Sequence, residues 1–370
     1  MTAPRPPFRA DEVGSLLRPA ALKTARAQCA AGELDAAGLR SVEDACIRAV
    51  VEKQESVGLQ AVTDGEFRRS WWHFDFLAGL DGVELVQGAK AIQFSGVQTK
   101  SESIAVTGKV GFGDHPMLEH FRFLQGVVKT AVPKVTIPSP SVLHFRGGRD
   151  AISKEIYPDL DAFYADTAEA YAEAVRSFYA AGCRYLQFDD TVWAYLCSEK
   201  ERQSLRDRGD DPDALKADYA QMIRQALAAK PDDMTITTHV CRGNFRSSWI
   251  SEGGYEPVAE LLLGDLPYDG YFLEYDSERA GGFEPLRFLP KGDKRVVLGL
   301  VTSKFGELED RDGVLKRIEE ASEFAQTDQF CLSPQCGFAS TEEGNILSEE
   351  EQWRKLSFIV GIAKEVWGEA

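Results

Sequence analysis

Eight short runs rich in β-branched and aromatic residues recur along the chain with helical patterns between them, and this alternation constrains the fold more than any other feature. The runs are Phe8–Val13, Leu59–Asp64, Lys134–Pro138, Tyr185–Asp190, Met234–Val240, Gly270–Tyr275, Arg295–Val301 and Gln329–Ser333. Apolar residues at three- and four-residue spacing mark helices over Glu43–Val57, Leu160–Ala181, Asp213–Ala229, Pro257–Leu263, Gly313–Ala325 and Glu349–Val366. Strand and helix in alternation predict an α/β fold, a parallel (β/α)8 TIM barrel. One catalytic domain over residues 1–370 is expected, with two additions. Residues 1–40 read as a partly helical N-terminal arm, and residues 80–113 as a β-hairpin excursion after the second strand.

Composition excludes some partners. Lys and Arg number 42 against 59 Asp and Glu, a net charge of −17. Nucleic acid is not expected, because phosphate binding needs clustered positive charge. No stretch approaches the ~20 apolar residues of a membrane helix, so no membrane span is expected. The first seven residues, Met1 to Pro7, hold no apolar signal core, which makes a cytoplasmic location the expectation. The seven cysteines are an odd count and read as reduced thiols. Of these, Cys29, Cys46, Cys183 and Cys197 stand in helical or turn contexts and read as structural. Whether copies assemble into a homo-oligomer is left open.

The ends of the strand candidates carry the chemistry. They hold Ser15, Asp64 with Glu66, Ser139, Asp189 with Asp190, His239 with Cys241, Glu274, Thr302 to Lys304, and Cys336. In a (β/α)8 barrel these ends converge on one mouth, where active sites sit. His239 and Cys241 are two apart, so in an extended strand both side chains point to one side. A zinc ion takes four ligands of this kind, and Glu274 and Cys336 complete a candidate set. The plainer reading of His239 is a satisfied core residue. Cys331 competes with Cys336, but reads as a buried residue facing a helix. Trp71, Trp72, His73, Phe74 and Phe76 form either a wall of the site or a helix packed on the rim. Trp193 and His144 are further pocket candidates.

These residues carry a resemblance. Val13–Pro19, Thr63–Arg69, Gln187–Asp190, His239–Phe245 and Ser333–Phe338 are similar to the catalytic barrel of cobalamin-independent methionine synthases, and more closely to their short single-barrel bacterial relatives. The similarity runs over nearly the whole chain. It implies a Zn2+ ion on His239, Cys241, Glu274 and Cys336. It implies that the amino-acid part of a thiol such as homocysteine lies against Gly14, Ser15, Glu66 and Asp189. Carboxylates suit an α-amino group, and backbone N–H groups at Gly14–Ser15 suit an α-carboxylate. The competing reading of Glu66 is a salt bridge to Arg68 or Arg69. The expected activity is S-methyl transfer to that thiol, with 5-methyltetrahydrofolate among the candidate donors.

Three departures touch the donor. The family's proton-donating histidine after the seventh strand is replaced by Thr302-Ser303-Lys304, which makes Lys304 the candidate catalytic acid. Glu12 stands where close relatives often carry histidine, and Thr99-Lys100 stands where an arginine pair is associated with folate. The rivals are a zinc thiol alkyltransferase using an epoxide, sulfonium or methyl-corrinoid electrophile, a zinc hydrolase, and a metal-free barrel lyase. The lyase requires an arginine-rich mouth, for which Arg18, Arg68, Arg69, Arg242 and Arg246 are the candidates.

Overall fold

The computed structural model describes residues 5–87, 93–94, 97–98 and 102–370. Its strands, in chain order, are β1 (Ala61–Val62), β2 (Asp81–Gln87), β3 (Gln93–Phe94), β4 (Val97–Gln98), β5 (Glu102–Gly111), β6 (Val132–Pro138), β7 (Tyr185–Asp190), β8 (Thr235–Val240), β9 (Gly270–Glu274), β10 (Arg295–Val301) and β11 (Phe330–Pro334). Seven of them form one parallel sheet in the order β1-β6-β7-β8-β9-β10-β11. The sheet curls in the manner of a TIM barrel, with helices on its outer face. Both faces of the central strands are buried, as a parallel sheet between a barrel interior and a helical layer requires. Leu186, Phe188, Ile236, Leu298 and Leu332 join the main apolar core with the helices.

The alternate residues face inward and are largely polar. Tyr185, Gln187 and Asp189 on β7 pair in register with Thr235, Thr237 and His239 on β8. At the floor of the interior, the Lys134 ammonium meets Asp11 Oδ1 at 3.2 Å and the Glu12 carbonyl, and the Tyr185 hydroxyl donates to Asp11 Oδ2 at 2.9 Å. A buried cation and carboxylate of this kind persist only because each is paired and hydrogen-bonded. Burial pushes the Glu12 carboxyl up to about 7.

The expected first strand, Phe8–Val13, is not a strand. It makes a single bridge, Ala10 to Leu332, with Leu332 N–H donating to the Arg9 carbonyl and Asp11 N–H to the Leu332 carbonyl. On its other side, the Thr63 hydroxyl donates to the Gly14 carbonyl and Leu16 N–H to the Gly65 carbonyl. The segment thus fills the gap between β11 and β1 without a ladder. Two causes are local. Pro6 and Pro7 lack the N–H a strand would offer, and Asp11 turns its carboxylate onto the N–H groups of Phe8 and Glu12.

The hairpin excursion is present: β2 and β5 pair antiparallel, and β3 pairs with β4. Thr99 and Lys100 lie outside the described residues. In the arm, helix Ala20–Ala30 is followed by helix Ala36–Val57, which starts earlier than the apolar spacing predicts because Asp35 caps it through Gly38 N–H. Gly58 ends that helix at φ 97°, a left-handed conformation that glycine adopts without strain. The helix expected at Pro257–Leu263 is one α-turn, Glu256–Ala259, followed by a π-turn over Glu260–Asp265. Among the described residues, no helix is long and apolar enough to cross a membrane.

Candidate active site

The strand ends bring four of the expected side chains together. His239 is the penultimate residue of β8, Cys241 follows that strand, Glu274 ends β9, and Cys336 lies two residues beyond β11. Their donor atoms all lie within 4.8 Å of one another and all four residues are buried. The two sulfurs are 3.5 Å apart and are free thiols. The His239 imidazole meets the Cys336 thiol, Glu274 Oε2 has no hydrogen-bond partner, and Glu274 Oε1 accepts Arg242 N–H at 2.7 Å. Buried polar atoms without partners are costly, and four soft or borderline donors around one point are what a zinc ion would satisfy. The hydrogen bond from the Cys241 thiol, with His239 and Lys304 nearby, holds Cys336 well below the ordinary thiol range. Cys241 moves the opposite way, raised by that same bond and by burial.

A cavity opens over this cluster, and Ser15, Glu66, Asp189, His239, Cys241 and Cys336 line it. Glu66 takes φ 60°, and its Oε1 accepts the Thr136 hydroxyl at 2.5 Å. Its other oxygen is ion-paired with Arg69, so the competing salt-bridge reading holds for Arg69. Arg68 instead pairs with Glu43 and Asp44. Asp189 accepts the Gln187 side-chain N–H at 2.7 Å, and burial raises its carboxyl. A Cβ on Gly14 would stand 2.5 Å from Glu66 Oε1, so glycine there lets the carboxylate approach the backbone. A Cβ on Gly337 would overlap Ser15 Oγ. Arg18 fastens the mouth: its guanidinium donates to the carbonyls of Glu66 and Arg69 on one loop, and of Ala339 and Thr341 on the other.

Other candidates fall elsewhere. Lys304 and Gly14 are not among the cavity walls. The Lys304 ammonium is buried without a hydrogen-bond partner, and its charge acts on Glu274 and Cys336. Cys331 does not face a helix. It pairs in register with Val297, which pairs with Phe272, and these three cluster with Val13 inside the barrel. The aromatic run divides: Trp71 and Trp72 line the cavity, while His73, Phe74 and Phe76 are buried in packing. Trp193 is also buried off the cavity, and Tyr195, one helical step on, lines it instead. The arginine-rich mouth of the lyase reading does not assemble. Of the five, Arg69 lines the cavity but is ion-paired with Glu66; Arg18 is spent on carbonyls, Arg68 points to Glu43, Arg242 is buried over the Tyr255 ring, and Arg246 is exposed. Arg146 does line the cavity, and sequence reasoning missed it.

His144 is structural. Its Nδ1 meets the Tyr219 hydroxyl at 2.6 Å, and burial pushes its imidazole from 6.5 down to about 4. The unfolded chain protonates this residue near its ordinary value while the folded chain does not, so stability falls as pH drops through that window. The full effect is about 3 kcal/mol. In His144→Gln, the urea midpoint is expected to fall less between neutral pH and pH about 4 than in the wild type. Identical slopes would mean the imidazole is solvated and titrates normally.

A family model for the catalytic domain of cobalamin-independent synthases matches residues 8–364. The Bacillus subtilis (strain 168) protein YxjH is 54% identical over 361 residues, covering 98% of this chain and 95% of that one. The 5-methyltetrahydropteroyltriglutamate–homocysteine methyltransferase of Bacillus velezensis is 23% identical over 319 residues, covering 85% of this chain and 37% of that longer one. Among solved structures, a protein from Listeria monocytogenes, provisionally named a vitamin-B12-independent methionine synthase, superimposes with TM-score 0.80 at 45% identity over 98% of this chain and 99% of that one. A B12-independent methionine synthase from Shewanella sp. W3-18-1, in complex with selenomethionine, shares the fold with TM-score 0.70 at 19% identity, covering 97% and 98%.

Proposed function

Because the chain belongs to the cobalamin-independent methionine synthase family and is a methyltransferase, we propose that it is zinc-dependent and methylates the sulfur of homocysteine or a similar small thiol. The observation that carries this reading is the buried convergence of the His239, Cys241, Glu274 and Cys336 donor atoms within 4.8 Å, with Glu274 Oε2 unpartnered. Zinc bound there would deprotonate an incoming thiol, whose free pKa is about 8.5, and keep it nucleophilic at neutral pH.

The protein's own groups do the rest. Two thiolates and a carboxylate outnumber the charges of a divalent ion, so electron density stays on the bound sulfur. Lys304 and Arg242, both buried beside Glu274, offset that negative excess. Glu66 and Asp189 bind the α-ammonium of the acceptor, and Ser15, the member of the Gly14–Ser15 turn that lines the cavity, receives its carboxylate. Arg18 ties the loop of Glu66 to the loop that follows Cys336. Lys304 acts by charge on the ligand set and not as a proton donor to substrate, since its ammonium does not line the cavity.

The test is methionine formation by zinc-loaded and chelator-stripped protein with homocysteine and 5-methyltetrahydrofolate, followed by mass spectrometry. Zinc-dependent methionine is the expected result. Methyl transfer from a sulfonium or methyl-corrinoid alone would keep the acceptor chemistry and change the donor. No methylation of homocysteine by any of these donors would contradict the reading.

A further inference from the structure

In the proposed reading the floor of the cavity takes the acceptor, and its wall also holds a cation, Arg146, that has no ion pair among the described residues. Arg146 lies eight residues beyond the end of β6 at Pro138, and Trp72 six beyond Glu66. Both are only partly buried, whereas Glu66, Asp189 and the metal-site residues beneath are buried. The Arg146 guanidinium is held between two rings, 6.0 Å from Trp72 and 5.7 Å from Tyr195, and it reaches the Tyr195 hydroxyl at 3.5 Å. Its Nε is buried without a partner. Glu201 senses its charge, yet among the described residues Arg146 has no ion pair. The other arginine of the cavity, Arg69, is engaged with Glu66.

Although the chain carries a net charge of −17, Arg146 stands on the cavity wall without an ion pair. A guanidinium fork between aromatic faces is suited to a carboxylate or phosphate. A small amino-acid thiol with its sulfur at the metal site and its amine on Glu66 and Asp189 occupies the floor. The electrophile must arrive from the open side, past Trp72 and Arg146.

We propose that Arg146, between Trp72 and Tyr195, is a specificity-determining residue that binds an anionic group, a carboxylate or phosphate, of the methyl donor. The assignment of that anion to the donor rests on the function proposed above; the anion site itself does not. Trp72 lies beside the site and reports on it by fluorescence, with Trp72→Phe identifying its share of the signal.

Full-length protein, with and without zinc, is titrated with inorganic phosphate and with glutarate. Saturable Trp72 quenching by one of them is expected, with affinity about tenfold or more weaker in Arg146→Gln and only partly restored in Arg146→Lys, which keeps the charge without the fork. Saturating homocysteine leaves the quenching unchanged. Which anion binds distinguishes phosphate from carboxylate donors. The proposal is overturned by no saturable quenching, by equal affinity in Arg146→Gln, or by displacement of the anion by homocysteine, which would make Arg146 the anchor of the acceptor's carboxylate. Failure of zinc or homocysteine to bind would overturn the proposed function while leaving the anion titration intact, so the two failures are separable.

Discussion

Replacing Cys336 by serine is expected to abolish zinc binding and methyl transfer together. Zinc per chain should fall below about a tenth, and kcat/KM by roughly a thousandfold or more. A serine hydroxyl is a hard, protonated donor at neutral pH, and the three donors that remain leave the ion incompletely held. The fold should survive, because serine is close to cysteine in size and the partners of the sulfur, Cys241 at 3.5 Å, Ser340 at 3.8 Å and His239, all lie at the cavity end of the barrel. Metal analysis and thermal unfolding read the two effects separately. Cys331→Ala is the control: this thiol is also buried inside the barrel but stands outside the donor group, so zinc and activity should persist. Full zinc occupancy in Cys336→Ser would remove Cys336 from the ligand set.

The second large effect is on the acceptor. Asp189→Asn keeps the shape of the side chain and removes its charge. Hydrogen bonds to charged groups contribute enough that KM for homocysteine should rise about tenfold to a hundredfold, with zinc content unchanged. Glu66→Gln should act in the same direction. It also releases Arg69 from its ion pair, so the double variant Glu66→Gln/Arg69→Gln separates loss of the acceptor's partner from the freed cation. Unchanged KM in both single variants would mean that the ammonium binds elsewhere. Loss of zinc in either would mean that the two halves of the cavity are not independent.

What could be read in the sequence follows the periods of regular structure. The two-residue spacing of His239 and Cys241, and the placement of Glu274 and Cys336 at strand ends, are consequences of strand geometry, and the cluster forms where that geometry puts it. Register also decides the failures. A bulge between Gly299 and Val301 shifts β10 against β11, and Ser303 then bonds Gln335 and Gly337. Lys304 follows that strand and is buried within reach of the Glu274 and Cys336 charges. Phe8–Val13 has strand composition, yet Pro6, Pro7 and the Asp11 carboxylate deny it a ladder. Cys331 was misjudged by face, which only the pairing Phe272–Val297–Cys331 fixes. Arg146 and Tyr195 were illegible for another reason. They lie on segments beyond the strands, where loop and short-helix folding, not strand periodicity, decides which side chain turns inward.

The most direct measurement on the central claim is the zinc X-ray absorption spectrum of the protein with and without homocysteine. The expected first shell has two sulfurs and two nitrogen or oxygen donors, and it gains a third sulfur when homocysteine is added. A shell with two sulfurs that is unaltered by saturating homocysteine would contradict thiol activation at this metal. So would a reconstituted protein that binds no zinc at all.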